Sequence, residues 1–341
     1  MSAKKKKNGS RLPLIIIVTI VLVLLVAAYK ILGPNSSKEQ FLYVKTGTTY
    51  EQLLAQLKDG YLDDVNSFDF LARRVGLADH VRPGKYLVKA HMSNYELAKK
   101  LRNGRQVAVK LVINKLRTKA DFVHMVITNL EVDSAALQNM LNDGDFLAKN
   151  GLDTNTVMCG IRPDTYEFYW NTTADKVLHK ILANYTRFWT DERKQQAKAK
   201  GLDPVRATIM ASIIDEESNV PADKLNIASV YLNRINKGMK LQADPTVKFA
   251  IGDFAIKRVT GAMLQTVSPY NTYRNEGLPP GPICTPSNGS IDAVLHAPQT
   301  NYIFFCASPS LDGSSLFAAT DAEHLKNARA YQQALNARGI H

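Results

Sequence analysis

The residues best suited to chemistry in this chain are acids. In the stretch ASIIDEESNV, residues 211–220, the carboxylates Asp215, Glu216 and Glu217 follow an apolar run and stand just ahead of Pro221. A carboxylic acid kept protonated near neutral pH can donate a proton to a glycosidic oxygen, and the emptied carboxylate can then act as a base. Residues 204–218 read as one helix, with Pro204 in its first turn and Pro221 just past its end. At 100° per residue with Ile213 at 0°, the apolar side chains Ile209, Met210, Ile213 and Ile214 centre at about 30°, and Glu217 falls at about 40°. Glu216 lies on the flank at about −60°, and Asp215, at about 200°, faces away. Glu217 is thus the acid expected in the buried stripe, where lost hydration favours its protonated form. It also sits in the last turn, where the negative end of the helix dipole opposes a second negative charge. The competing reading is an ordinary salt bridge from Glu217 to Arg206 or Arg234.

Other catalytic signatures are missing. The seven histidines form no HExxH pattern, and there is no GxSxG elbow, phosphate-binding loop or GxGxxG turn. Cys159, Cys284 and Cys306 are odd in number and lack CxxC spacing, so they read as small buried apolar residues. No metal and no cofactor are expected.

The elements that must position the acids come next. Residues 12–29 carry no charge in 18 positions, close to what a helix needs to cross a hydrocarbon core. Lys4, Lys5, Lys6, Lys7 and Arg11 precede this run, so the positive-inside rule keeps the N-terminus in the cytoplasm. A cleaved leader is the rival reading, with Val26-Ala27-Ala28 as its site, but the run is longer than such leaders use. The basic residues up to Lys30 supply six of the formal +12 charges; the remaining excess suits an anionic polymer or membrane surface, and no aromatic-interleaved basic stretch points to nucleic acid.

After a polar linker, GPNSSKEQ, strands and helices alternate. FLYVK and GKYLVKA read as strands, TTYEQLLAQLKDG as a helix begun at Thr49, and SFDFLARRVG as a helix opened by Ser67. In SNYELAKKLRNG, Ser93 and Glu96 make a capping box and Gly104 closes the helix before the strand RQVAVKLVI. This is a small α+β module, either a spacer or dimerising unit or a glycan-binding platform. A longer, helix-rich region follows. Most of its aromatics, including Phe168, Tyr185 and Trp189, are expected in the core, with Tyr166 or Tyr169 open to sugar stacking.

The segments ASIIDEES, ASVYLNRINKGMKLQADPTV, YNTYRNEGLPPGPICTPS and LHAP, with RPDTYEFYWNTT upstream, resemble the endolytic murein transglycosylases, the YceG-like family. The resemblance covers nearly the whole chain. It implies an α+β protein with an N-terminal transmembrane helix, a small LysM-like module and a larger helix-rich α+β catalytic domain. The expected boundaries are a cytoplasmic basic tail at 1–11, the membrane helix at 12–32, a linker at 33–40, the LysM-like module at 41–115 and the YceG-like catalytic domain at 116–341. It further implies cleavage of peptidoglycan glycan strands between N-acetylmuramic acid and N-acetylglucosamine, leaving 1,6-anhydro ends, by a lyase step in the cell envelope. Glu217, the glutamate preceding the small hydroxyl residue Ser218, takes the catalytic position. This chain departs from the family's usual pattern at Asp215, Glu216 and Ser218, changes that lie off the helix face or are conservative.

Supporting roles follow from residue type. Tyr270, Asn271 and Tyr273, on a proline-rich loop, are candidates for stacking on sugars and for contacts to N-acetyl groups, and structural packing of the loop accounts for them equally. Gln242 and Asp244 are candidates to line the cleft, although Asp-Pro also opens turns. His296 and His324 read as hydrogen-bonded loop residues. The expected partners are peptidoglycan strands, the cytoplasmic membrane and peptidoglycan synthases. Two rival functions remain, a hydrolytic muramidase in which Asp244 positions a water, and a silent peptidoglycan-binding scaffold.

Overall fold

The computed structural model describes residues 12–338; the basic tail at 1–11 lies outside the described residues. The chain is a helix-rich α+β protein that divides into two compact units, residues 1–109 with 167–172, and residues 110–166 with 173–341. The division therefore falls a few residues before the expected 115/116 boundary, and residues 167–172 group with the first unit.

The first unit contains α1 (Leu12–Leu32), β1 (Gln40–Val44), α2 (Tyr50–Lys58), α3 (Val65–Arg74), β2 (Gly84–Val88) and α4 (Asn94–Arg102). β1 and β2 pair antiparallel, with Leu42 opposite Tyr86 and Val44 opposite Gly84. Alternation puts Leu42, Val44, Tyr86 and Val88 on the inner face, where they meet Leu53, Leu57, Phe68, Leu97 and Leu101. The Thr49 and Ser93 capping boxes form as the sequence predicts. α3 differs: it starts two residues before Ser67, because the Asp64 carboxylate accepts the Ser67 backbone N–H at 3.1 Å and outcompetes the hydroxyl as cap.

Residues 12–30 of α1 are all exposed, and its length and composition suffice to cross a bilayer. The segment behind it is not a free linker. Asn35 and Ser36 are buried, Asn35 Nδ2 donates to Asn94 Oδ1 at 2.6 Å, and Ser36 Oγ donates to the Lys89 carbonyl at 2.7 Å. Polar side chains in this connection between α1 and β1 serve internal hydrogen bonds.

From β3 (Val109–Ile113), which pairs with β4 (Asp164–Phe168), the chain enters the second unit. There follow α5 (Lys119–Asn129), α6 (Ser134–Met140), α7 (Gly144–Ala148), α8 (Ala174–Phe188), α9 (Asp191–Ala199), α10 (Pro204–Glu217), α11 (Pro221–Asn236), α12 (Asp244–Ile251) and α13 (Asn288–Leu295). A β5–β6 hairpin (Phe304–Ala307, Ser315–Ala318) and α14 (Asp321–Ala337) complete it. Among the aromatics, Tyr166, Phe168, Tyr185 and Trp189 are buried, whereas Tyr169 is exposed. Burial removes the Tyr166 ring as a stacking surface, and its hydroxyl donates to the Arg162 carbonyl.

α10 is the centre of this unit. Residues 207–215 are buried without interruption, and α9, α11, α12 and α13 all pack on it. A helix enclosed on every side has no polar face, so the assumption of one apolar stripe fails at its far side. Asp215, expected to face away, is only 6 % exposed.

Candidate active site

The three acids of α10 meet three different environments. Asp215 is held from several directions: Lys224 Nζ lies 2.8 Å from Oδ1, Lys115 Nζ 3.1 Å from Oδ2, Ser287 Oγ donates at 2.7 Å, and Ser290 Oγ donates to Oδ1 as well. Burial alone would raise its proton affinity, but the hydrogen bonds from Lys224, Ser290 and Ser287 and the charge of Lys115 outweigh burial and hold the carboxyl well below the usual range. Glu216 accepts from Arg117 Nη2 at 3.0 and 3.1 Å and pairs with Lys115 at 3.2 Å. These two acids are structural anchors, each held by cationic partners.

Glu217 closes the helix. Crowding around it dominates its proton affinity, although part of the residue stays open to solvent, and burial pushes its carboxyl up to about 7. The Tyr231 hydroxyl, donating to Oε1 at 2.7 Å, pulls in the opposite direction; the charges of Asp244 and Glu216 push up and that of Lys248 pulls down. The anticipated arginine partners are not there. Arg234 spends its guanidinium on the Ile303 carbonyl at 2.6 Å and the Leu241 carbonyl at 2.8 Å. Among the described residues, Glu217 is the acid of the triplet without an ion pair.

Tyr231 was not singled out from the sequence. A tyrosine 1 % exposed on α11 must place its hydroxyl on a partner, and that requirement was the available signal. Burial and the adjacent Glu217 carboxylate hold the Tyr231 phenol well above its usual range, so it stays a donor.

The remaining candidates separate. Asp244 opens α12 and accepts from the Tyr273 hydroxyl at 2.6 Å; the charges of Asp244 and Glu217 both raise the proton affinity of Tyr273, after burial. Gln242 is exposed, adopts a left-handed φ of 54°, and accepts from Arg234 Nη1 at 3.2 Å. Glu217, Asp244 and Tyr273 therefore form one cluster, with Gln242 joined to it through Arg234.

Asn271 does not belong to that cluster as a ligand. It is fully buried; its amide donates to the Leu264 and Thr266 carbonyls at 2.9 and 2.8 Å and its oxygen accepts the Tyr273 N–H at 3.0 Å. A fully buried side chain with both amide hydrogens and its oxygen engaged shapes the loop and is out of reach of a sugar. Tyr270 turns onto Phe249, with ring centroids 4.7 Å apart, and its hydroxyl reaches toward Gly281. A Cβ at Gly281 would stand 2.2 Å from the Asn155 carbonyl oxygen, so only glycine lets the chain pass there.

The loop is stiffened by α10 itself. Ile283 N–H donates to Ser212 Oγ at 3.0 Å, and Thr285 N–H donates to the Leu116 carbonyl at 2.7 Å. Cys159 and Cys284 are buried, as expected; Cys306 is half-buried on β5. His296 Nδ1 lies 2.9 Å from the Asp292 carbonyl at the end of α13, and His324 stacks on Phe304 within α14 rather than in a loop.

The model of the YceG-like family matches residues 42–330. An endolytic murein transglycosylase of Bacillus subtilis is 37% identical over 174 residues, which cover 51% of this chain and 48% of that protein. One from Streptococcus pneumoniae is 24% identical, covering 86% of this chain and 58% of its own length. The chain thus spans about half the length of these relatives. A solved YceG-like protein of Listeria monocytogenes superposes with a TM-score of 0.57 at 25% identity, over 85% of this chain and 98% of that one. With the family match running through both units and the same fold recurring in a solved relative, this chain belongs to the YceG-like family.

Proposed function

We propose that this protein cleaves peptidoglycan glycan strands internally, between N-acetylmuramic acid and N-acetylglucosamine, by a non-hydrolytic step with Glu217 as acid and then base. The observation that carries the reading is a carboxyl group with a proton affinity near neutrality, oriented by one tyrosine hydroxyl and, among the described residues, without an ion pair. The names of the relatives from Bacillus subtilis and Streptococcus pneumoniae agree with this activity.

Protonated Glu217 gives its proton to the oxygen joining the two sugars, and the bond from that oxygen to the muramoyl anomeric carbon breaks as an oxocarbenium-like centre develops. The emptied carboxylate takes the proton of the same sugar's 6-hydroxyl, whose oxygen attacks the anomeric carbon and closes a 1,6-anhydro ring. No water is consumed. Tyr231 keeps the Glu217 carboxylate in one orientation through both proton transfers. Tyr273 and Gln242 supply polar contacts to the strand. Asp244, whose charge raises the proton affinity of Glu217, keeps the acid loaded.

The mass of the released muropeptides tests the reaction. Anhydro ends are one water lighter than reducing ends; reducing ends would identify a muramidase with Asp244 as the second carboxylate, and intact sacculi would identify a scaffold.

Tyr231→Phe removes the one hydrogen bond that lowers the proton affinity of Glu217. Its maximal rate is expected to fall roughly ten-fold while the alkaline limb of the pH profile moves upward from near 7. A limb that stays in place would separate Tyr231 from Glu217.

The rest of the molecule fits the same setting. α1 anchors the chain once in the cytoplasmic membrane, N-terminus inside, with both units on the outer side. The first unit, with two antiparallel strands flanking α2 and α3, is the LysM-like module, placed to hold glycan near peptidoglycan synthases.

A further inference from the structure

The first unit carries a second concavity of a different character. Lys89, His91, Tyr95, Lys99, Lys100 and Arg105 line a groove of about 440 Å³, and Glu96 is the one acid in its wall. Glu96 is already engaged, accepting the Ser93 backbone N–H at 3.2 Å in the capping box of α4. Lys100 is half-buried and donates to the Leu87 carbonyl at 2.7 Å; burial first, and then the charge of Lys89, lowers its proton affinity, a strain that an incoming anion would relieve. Lys99 Nζ stands 5.5 Å over the exposed Tyr95 ring. His91, a non-glycine residue, takes a left-handed φ of 60° at the groove wall.

The position of this groove is set by α1. The Lys30 carbonyl, in the last turn of α1, accepts from Asn94 Nδ2 at 2.7 Å, Pro34 bridges to Ser93, and the His91 N–H donates to the Ser36 carbonyl at 2.7 Å. The chain leaving the helix is therefore stitched along residues 89–94, of which 89–92 line the groove. At no more than about 3.5 Å per residue, the three or four residues between helix end and groove span little more than a headgroup layer.

We propose that this groove binds the phosphodiester headgroup of an anionic phospholipid in the leaflet from which α1 emerges. The inference rests on α1 lying in a bilayer, and it adds a lipid-specific site to that anchor. Juxtamembrane lysines and arginines are drawn to anionic leaflets within a Debye length, and a tyrosine at headgroup level is at its preferred depth. The four cations supply the charge, and they favour a headgroup of net negative charge over a zwitterion, whose phosphate already carries its own cation.

The test uses the full chain in neutral detergent micelles doped with equal phosphatidylglycerol and phosphatidylcholine, with retained lipid counted by native mass spectrometry. Phosphatidylglycerol is expected to be retained in roughly ten-fold excess. The Lys89→Ala, Lys99→Ala, Arg105→Ala triple variant loses the excess, and Lys89→Arg with Lys99→Arg keeps it, at an unchanged melting temperature. Equal retention of both lipids, or an excess that survives the alanine substitutions, overturns the site. Displacement by millimolar inorganic phosphate, or by soluble peptidoglycan fragments, would reassign the groove to free phosphate or to wall polymer and overturn it too. Flotation of both wild type and triple variant with vesicles checks the anchor separately, so a failure of the anchor is not mistaken for a failure of the groove.

Discussion

Glu217→Gln is expected to leave a folded protein that releases glycan fragments at least about a thousand-fold more slowly, because the amide can neither give the proton to the bridging oxygen nor take one from the 6-hydroxyl. Its effect on stability should have the opposite sign. The folded-state carboxyl titrates near 7, above its ordinary value of 4.5, so between those values the folded chain holds a proton that the unfolded chain has lost. Stability from this group is therefore full below about 4.5, declines as pH rises toward 7, and stays low above it. The amide of the Glu217→Gln variant cannot ionise, so that variant should gain on the order of 1 to 3 kcal/mol over wild type at pH 8 and nothing at pH 4. Muropeptide release and urea denaturation at the two pH values check both halves. Retained activity would remove Glu217 from the mechanism.

The second large effect falls on Asp215. Asp215→Ala leaves the nearly buried Lys224 ammonium, with 12% of its side chain exposed, without its carboxylate and also takes one partner from each of Lys115, Ser287 and Ser290. A broken buried ion pair costs about 3 to 5 kcal/mol, enough to unfold a marginal domain. The pH dependence again follows from the direction of the shift. Asp215 has its folded value depressed, so its contribution is complete above the ordinary aspartate range and is lost only as pH falls through the folded value. Between pH 5 and 8 the Asp215 term is flat and the Glu217 term slopes, which makes the two acids separable by denaturation across that window. A melting temperature within a degree of wild type for Asp215→Ala would contradict the anchoring role.

The contrast between these neighbours shows where the sequence is legible. Helix caps are local, so Thr49, Ser93 and the span of α10 can be read from adjacent residues. Periodicity ranks the acids of α10 differently from the fold: Glu217, placed by the wheel in the buried stripe, is half-buried at the helix end, while Asp215 is the more enclosed. Asp215 escapes the same reading because a wheel knows one helix, while its partners Lys115 and Ser290 come from residues 100 and 75 positions away. Asn271 misleads for a related reason: an asparagine in a proline-rich loop has the chemistry of a sugar ligand, and only the fold reveals that three backbone groups have already claimed it. Tyr231 lies between these cases, since its burial could be suspected from α11 but its partner could not.

The stitching of residues 34–36 to 89–94 also governs how the anchor works mechanically. A flexible tether would let the platform swivel freely over the lipid, whereas a shaft fixed at Lys30, Pro34 and Ser36 passes torque. With α1 in a bilayer, as proposed, a helix that leans to match a change in bilayer thickness carries the whole first unit with it. Under that proposal membrane thickness becomes a mechanical input to the angle at which the first unit is presented.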